Sequence, residues 1–414
     1  MALDSPSSRS DAISFIQLRL FESIGRVNSF RKTSDECNLS QPAVTQALAK
    51  LEQTIGVPLL NRRASGSYLN EAGIIFHRRV TNFVHSVEAA LIDLGVPGGK
   101  ATAPIFARRL SRAKTRNFLA ITSCASLPHA AQHLGLSLPS LHRAAHDLER
   151  NLQCALFHRT SDGLMVTYSG IQFGRALLLS MQEVEWGIAE IEAAMGRFTS
   201  RISIGALPSG GSVLLSSVLE EFVASYPQAE VRIINENFSA MMKSLREGNV
   251  DFVIGLLQQS MPPDLTAEAL ARTPYVIALR RGHELLYKSC VTPADLLAYD
   301  WVIGLNGSCR RMCFESLFEK IGRPRAQISS STLAVTRQLL ERSNRLTLMT
   351  SFELEHEVER LAALPFEPLE PVAIMGITTR LNWNRTALHN YFIELLHRKM
   401  EKFSTPQLAG KLAS

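Results

Sequence analysis

"NLSQPAVTQALAKLE", residues Asn38 to Glu52, returns 97 residues later as "GLSLPSLHRAAHDLE", Gly135 to Glu149. In the first copy Ser40 suits a helix N-cap, because its hydroxyl can take an otherwise orphaned amide hydrogen. Pro42 suits the first turn, where no amide donor is needed. Val44, Leu48 and Leu51 then fall on one face, leaving Gln41, Thr45, Gln46 and Lys50 pointing outward. Upstream, "SFRKTSDECN" predicts a helix over Phe30 to Cys37 and a tight turn at Asn38-Leu39. Downstream, "NRRASGSYLNEAG" predicts a β-hairpin with Gly66 at its tip, carrying Arg62 and Arg63.

The repeat holds without a gap when residues 19–76 are laid on 116–173, pairing Phe21 with Phe118, Leu51 with Leu148, Glu52 with Glu149, Arg62 with Arg159 and Gly73 with Gly170. A tandem duplication of one small domain accounts for this, and the period is far too long for a solenoid unit. In a helix-turn-helix the second helix enters the major groove of DNA. Glutamine there pairs with adenine and threonine contacts a thymine methyl, while wing arginines suit phosphates. In copy two Leu138 replaces Gln41. The matching face offers Ser137, Ser140, His142, Arg143 and His146, with Arg159 on the wing. This second copy is either a reader with other base preferences or a preserved fold whose exposed leucine serves protein contacts.

At 414 residues the chain exceeds what one core supports, so two or three domains are expected. With 46% apolar and 20% charged residues and no apolar run near the roughly 20 needed to span a bilayer, no membrane segment is expected. The opening "MALDSPSSRSD" lacks the pattern of an export signal, which points to the cytoplasm. Residues 1–180 carry 20 Lys and Arg against 12 Asp and Glu, whereas the remainder carries 24 against 26. The basic excess therefore lies in the N-terminal part and fits a polyanion such as nucleic acid, or else a solvated basic face. Six cysteines without a Cys-x-x-Cys pair argue against structural zinc and disulfides. Cys309 and Cys313 form a candidate redox pair, since Arg310 and Arg311 beside a helix start would lower a thiol pKa; the alternative is idle thiols.

"VPGGKATAP", Val96 to Pro104, reads as a linker. Further on, Leu177, Leu178, Met181, Val184, Ile188, Ile191 and Met195 recur at helical spacing. That helix needs an apolar partner, either a second chain or its own domain. From Arg201 the texture becomes short apolar runs alternating with helix-like segments, an α/β pattern in two halves. Strands are expected at Arg201, Glu230 and Asp251, then at Trp301–Leu305, 326–330 and 345–349. Ligands bind beyond the carboxyl ends of such strands. The candidate effector residues there are Ser209 and Ser212 in "GALPSGGS", Asn306 and Ser308 in "GLNGSCRR", and Ser331 and Thr332. Ordinary helix capping by these residues is the competing explanation. No Walker lysine, metal-ligand cluster or catalytic triad stands out, so neither enzyme activity, metal nor cofactor is expected.

"FRKTSDECNLSQPAVTQALAKLEQTIGVPLLNRRASGSYLNEAG" resembles the winged helix-turn-helix of LysR-type transcriptional regulators, with Ser34 where that family commonly has alanine. "LEEFVASYPQAEVRIINENFSAMMKSLREGNVDFVIGLL" resembles the effector domain of the same family. "PYVIALRRGHEL" and "YDWVIGLNGSCRRMCFESLF" are similar to its branch named for a galactose-binding-protein regulator. The fold class implied is α/β plus mainly α. It comprises two tandem winged helix-turn-helix domains (12–74 and 109–171, with a helix and Gly/Pro linker at 75–108), a linker helix (172–198) and a periplasmic-binding-protein-like effector domain (201–404). Its lobe I would hold 201–265 and 370–404, and lobe II 266–369. The resemblance implies a ligand-responsive regulator that binds double-stranded DNA and a small polar or anionic effector. It also implies pairing through the linker helix into a homodimer or homotetramer, and contact with RNA polymerase. The alternative is a scaffold whose winged domains bind proteins.

Overall fold

The computed structural model describes residues 6–63, 66–124, 126–160, 163–196, 201–208, 210–258 and 260–404. The chain divides into two compact units, Met1–Ser200 and Arg201–Ser414. In the first, α1 (Pro6–Ala12) precedes the series α2 (Phe15–Val27), α3 (Phe30–Cys37), α4 (Gln41–Ile55), β1 (Leu60–Arg63), β2 (Gly66–Leu69) and α5 (Glu71–Leu94). After α6 (Ala103–Arg109) the series recurs as α7 (Arg112–Ser123), α8 (Leu127–Leu134), α9 (Leu138–Leu152), β3 (Phe157–Thr160), β4 (Gly163–Val166) and α10 (Tyr168–Ala194).

The same local chemistry builds both series. Ser14, Ser29 and Ser40 cap α2, α3 and α4; Ser111, Ser126 and Ser137, each 97 residues on, cap α7, α8 and α9. Each hydroxyl accepts an amide hydrogen three residues ahead, as helix starts require. The turns pass through the left-handed region at Asn38 (φ 53) and Gly135 (φ 64). Glu52 accepts the amides of Leu59 and Leu60 at 2.7 and 3.1 Å, and Glu149 accepts those of Leu156 and Phe157 at 2.9 and 3.0 Å. The recurring Leu-Glu pair thus has a cause: the leucine enters the core and the glutamate ties α4 to the start of β1, and α9 to the start of β3. Gly73 and Gly170 are needed because a Cβ would sit 2.1 and 2.6 Å from the carbonyl oxygens of Leu59 and Leu156.

Two expectations change here. The Gly/Pro stretch is no free linker, since Val96, Ala103, Phe106 and Ala107 are buried in one apolar core shared with both series. Pro104 merely occupies the first turn of α6. The apolar stripe of α10 also finds its partner within the chain. Leu177, Val184, Ile188 and Ile191 are buried, Met181 partly so, while Leu178 and Met195 stay exposed. α5 packs along α10, and Arg79, fully buried, donates to Glu190 (Nε to Oε2, 3.0 Å) and to Glu183 (3.1 Å). The face expected to meet a second chain therefore meets α5.

The second unit runs β5 (Arg201–Ala206), α11 (Gly210–Ser225), β6 (Glu230–Ile234), α12 (Phe238–Arg246), β7 (Phe252–Leu256), β8 (Leu265–Arg272), β9 (Tyr275–Arg280), α13 (Pro293–Leu296), β10 (Trp301–Ile303) and α14 (Cys309–Phe318). It continues through β11 (Ile328–Ser329), α15 (Leu333–Glu341), β12 (Leu346–Thr350), α16 (Ser351–Glu355), β13 (Leu361–Ala363), β14 (Ile374–Arg380) and α17 (Ala387–Ser404). Two five-stranded sheets form, in the orders β6-β5-β7-β14-β8 and β11-β10-β12-β9-β13. β5 lies parallel to β6 and β7, and β10 parallel to β11 and β12, as helical crossovers dictate. The lobe boundary expected at 265/266 is misplaced. β8 pairs antiparallel with β14, from Leu265↔Arg380 to Arg272↔Ile374, and so belongs to the first lobe. Being an edge strand, it lacks the continuous apolar run that marked the others. The chain crosses at Thr273, whose amide donates to the Ala373 carbonyl at 2.8 Å.

Candidate nucleic-acid interface and effector cleft

α4 and α9 each bury one side and present the other. On α4, Val44, Leu48, Leu51 and Ile55 enter the core. Ser40, Gln41, Pro42, Gln46 and Lys50 are exposed; Thr45 is half-buried, its hydroxyl donating to the Gln41 carbonyl at 3.0 Å. On α9, Leu141, Ala145, Leu148 and Leu152 are buried, while Ser137, Leu138, Ser140 and Arg143 are exposed. His142 and His146 are half-buried, and His146 Nδ1 lies 3.2 Å from Glu149. On the first wing Arg62 and Arg63 are exposed. Arg62 stacks over Phe30 at 5.6 Å and stands 3.9 Å from Glu52, so its head is held near α3 and α4. Gly66 opens β2, opposite Arg63 in the ladder. Arg159 takes the matching backbone position on β3, opposite Leu164; its side chain lies outside the described residues.

In the second unit a cavity of about 840 Å³ opens between the lobes. Three expected residues line it: Asn306, Ser308 and Ser331. Ser212 and Thr332 line an adjoining recess of about 330 Å³ that shares Pro208, Asn235 and Ser331 with it, whereas Ser209 lies outside the described residues. The hydroxyls are partly spoken for. Ser308 caps α14 and donates to the Leu305 carbonyl at 2.7 Å, and Ser212 accepts from Asn235 at 2.8 Å.

Sequence reasoning missed the strongest charges in the cleft. Arg310 Nη2 lies 2.9 and 2.8 Å from the two carboxylate oxygens of Glu353, both residues being buried. Glu353 also accepts the Thr350 amide at 2.9 Å, closing a capping box with Thr350. That Thr-x-x-Glu signal was visible in the sequence, but it marks a helix start and does not reveal the arginine opposite. Glu236 adds a second carboxylate to the lining. The thiols' surroundings favour the idle alternative: burial raises the Cys309 thiol and pushes Cys313 up to about 12, and the Arg310 guanidinium is turned to Glu353. Among the described residues no cluster of His, Cys, Asp and Glu could hold a metal, and no helix is long and apolar enough to cross a membrane.

Residues 15–74 and 113–171 each match the family described as bacterial regulatory helix-turn-helix protein, lysR family, and residues 196–401 match the LysR substrate binding domain. The chain belongs to the LysR family. It is 30% identical to the HTH-type transcriptional regulator GalR of Pseudomonas putida over 346 residues, covering 83% of this chain and 86% of that protein. It is 23% identical over 283 residues to the uncharacterized HTH-type transcriptional regulator YdcI of Escherichia coli, covering 67% of this chain and 92% of the relative. Full-length OxyR of Pseudomonas aeruginosa superposes with a TM-score of 0.50 at 17% identity, over 71% of this chain and 97% of that one, a likeness of fold. As a LysR-type protein the chain is a ligand-responsive, DNA-binding transcriptional regulator with a substrate-binding domain. Both of these relatives are described as HTH-type transcriptional regulators.

Proposed function

We propose that both helix-turn-helix segments arose by duplication and both read DNA, with α4 and α9 in the major groove and the wing arginines on phosphate. The observation that carries this is the identical construction of the two reading helices. Each is capped by a serine, tied to its wing by a glutamate and left with an uncovered polar face. Gln41, Thr45, Gln46, Lys50, Arg62 and Arg63 act in the first copy. Ser140, His142, Arg143, His146 and Arg159 act in the second.

The cleft takes a small, neutral, hydroxyl-rich metabolite, in keeping with the sugar-related branch that the sequence resembles. Arg310 is neutralised by Glu353, and Glu236 leaves the lining with a net negative charge, which disfavours an anion. Amide and hydroxyl groups of Asn306, Ser308 and Ser331 remain to orient it. The effector acts by binding one arrangement of the lobes more tightly than the other. The protein works in the cytoplasm, forms homo-oligomers and answers to RNA polymerase at the promoter, without catalysing a reaction.

Titrating full-length protein against a duplex carrying its promoter, at rising salt, tests the DNA assignment. Affinity should fall steeply with the logarithm of salt concentration as counterions are released. A flat response would favour protein partners for the winged segments.

A further inference from the structure

α5 and α10 run antiparallel, because Arg78 meets Glu190 while Asn82, one turn along, meets Glu183. Gly187 allows the close approach: a Cβ there would lie 2.8 Å from the Phe76 ring. The two helices are unlike where they touch. The 97-residue shift places Ala176 where α5 has Arg79, and Ser86 where α10 has Glu183. Two α10 helices brought together in this register would set Glu183 against Ala176, leaving a buried carboxylate without its cation. Pairing α5 with α10 inside one chain satisfies both groups, with Arg79 further stacked 5.6 Å over Trp186. α1 holds the arrangement again, as Arg9 donates to the Ile55 carbonyl at 3.0 Å and pairs with Glu192 on α10.

The reading faces are equally unlike. Gln41, Thr45, Gln46 and Lys50 stand where the second copy has Leu138, His142, Arg143 and Asp147. We propose that one chain is a complete two-headed reader, whose α4 and α9 dock together on a single non-palindromic operator with two different half-sites. This rests on the reading above that both copies bind DNA. Gln41 and Gln46 suit adenine edges in one half, while Arg143 suits guanine and Leu138 a thymine methyl in the other. Asp147 is turned aside by its ion pair with Arg150.

Binding-site selection from random duplexes tests this with the full chain, a first-head variant (Gln41→Ala, Lys50→Ala) and a second-head variant (His142→Ala, Arg143→Ala). Wild type should select one composite sequence of two unlike halves. Each variant should lose selectivity in one half only and bind the composite site roughly tenfold or more weakly. An equal mixture of the two variants should bind no better than either alone, since good heads on different chains cannot replace two on one. Recovery of wild-type affinity in the mixture would overturn the proposal, as would selection of a site built from one kind of half-site only. Absence of DNA binding by the wild type would instead overturn the function on which it rests.

Discussion

Arg62 and His283 stand at opposite extremes, one exposed and one buried. Arg62 is exposed on its wing yet steadied by Phe30 and Glu52. A phosphate contact reads no sequence, so Arg62→Ala should weaken binding to all duplexes alike and lower the salt slope by about 1, measured by anisotropy titration. His283 is fully buried, with Nδ1 accepting the Leu285 amide at 3.1 Å and Nε2 3.2 Å from the Asn344 carbonyl. Burial, aided by Arg280, holds its pKa below the ordinary histidine value against the bond to Asn344. The unfolded chain therefore takes up the proton first as pH falls below about 6.5, and stability present above that pH is lost through the depressed folded pKa. Thermal unfolding from pH 8 to 5 should show this fall, and His283→Asn should flatten it. An unchanged slope would assign the acid sensitivity to other groups.

At the scale of elements, the pairing of α5 with α10 buries charges that depend on one another. Arg79→Ala would remove the buried cation that Glu183 and Glu190 share, and breaking a buried ion pair costs roughly 3–5 kcal/mol in such settings. A marked drop in the melting temperature of the first unit is expected, partly restored when Glu183→Gln is added. The caps, turns and wings of both copies were legible in the sequence because they depend on neighbours: a serine three residues before an amide, a glycine or asparagine at a left-handed turn. The α5–α10 pairing was not legible. The periodicity of Leu177 to Ile191 announces that a partner exists, but Arg79 lies about a hundred residues away and carries no local sign of its carboxylates. β8 escaped for a related reason, since an edge strand need not be apolar on both faces.

For the molecule as a whole, the α/β division and the cleft followed from sequence pattern, and Asn306, Ser308 and Ser331 line the cavity. The charge balance of the cleft needed three dimensions, because Arg310 and Glu353 lie on helices far apart in sequence. A neutral sugar-related ligand at a hundred times its Kd should raise the stability of the second unit by about 2.7 kcal/mol, read as a thermal shift, with carboxylate analogues giving less. Asn306→Ala should diminish that shift. The inequality of α4 and α9 reaches further than recognition. A regulator with identical heads cannot distinguish the two ends of its site, so turning the DNA around changes nothing; on the proposal that both unlike heads read DNA, the bound chain would have a forward direction, and inverting the operator would point it away from the gene it serves.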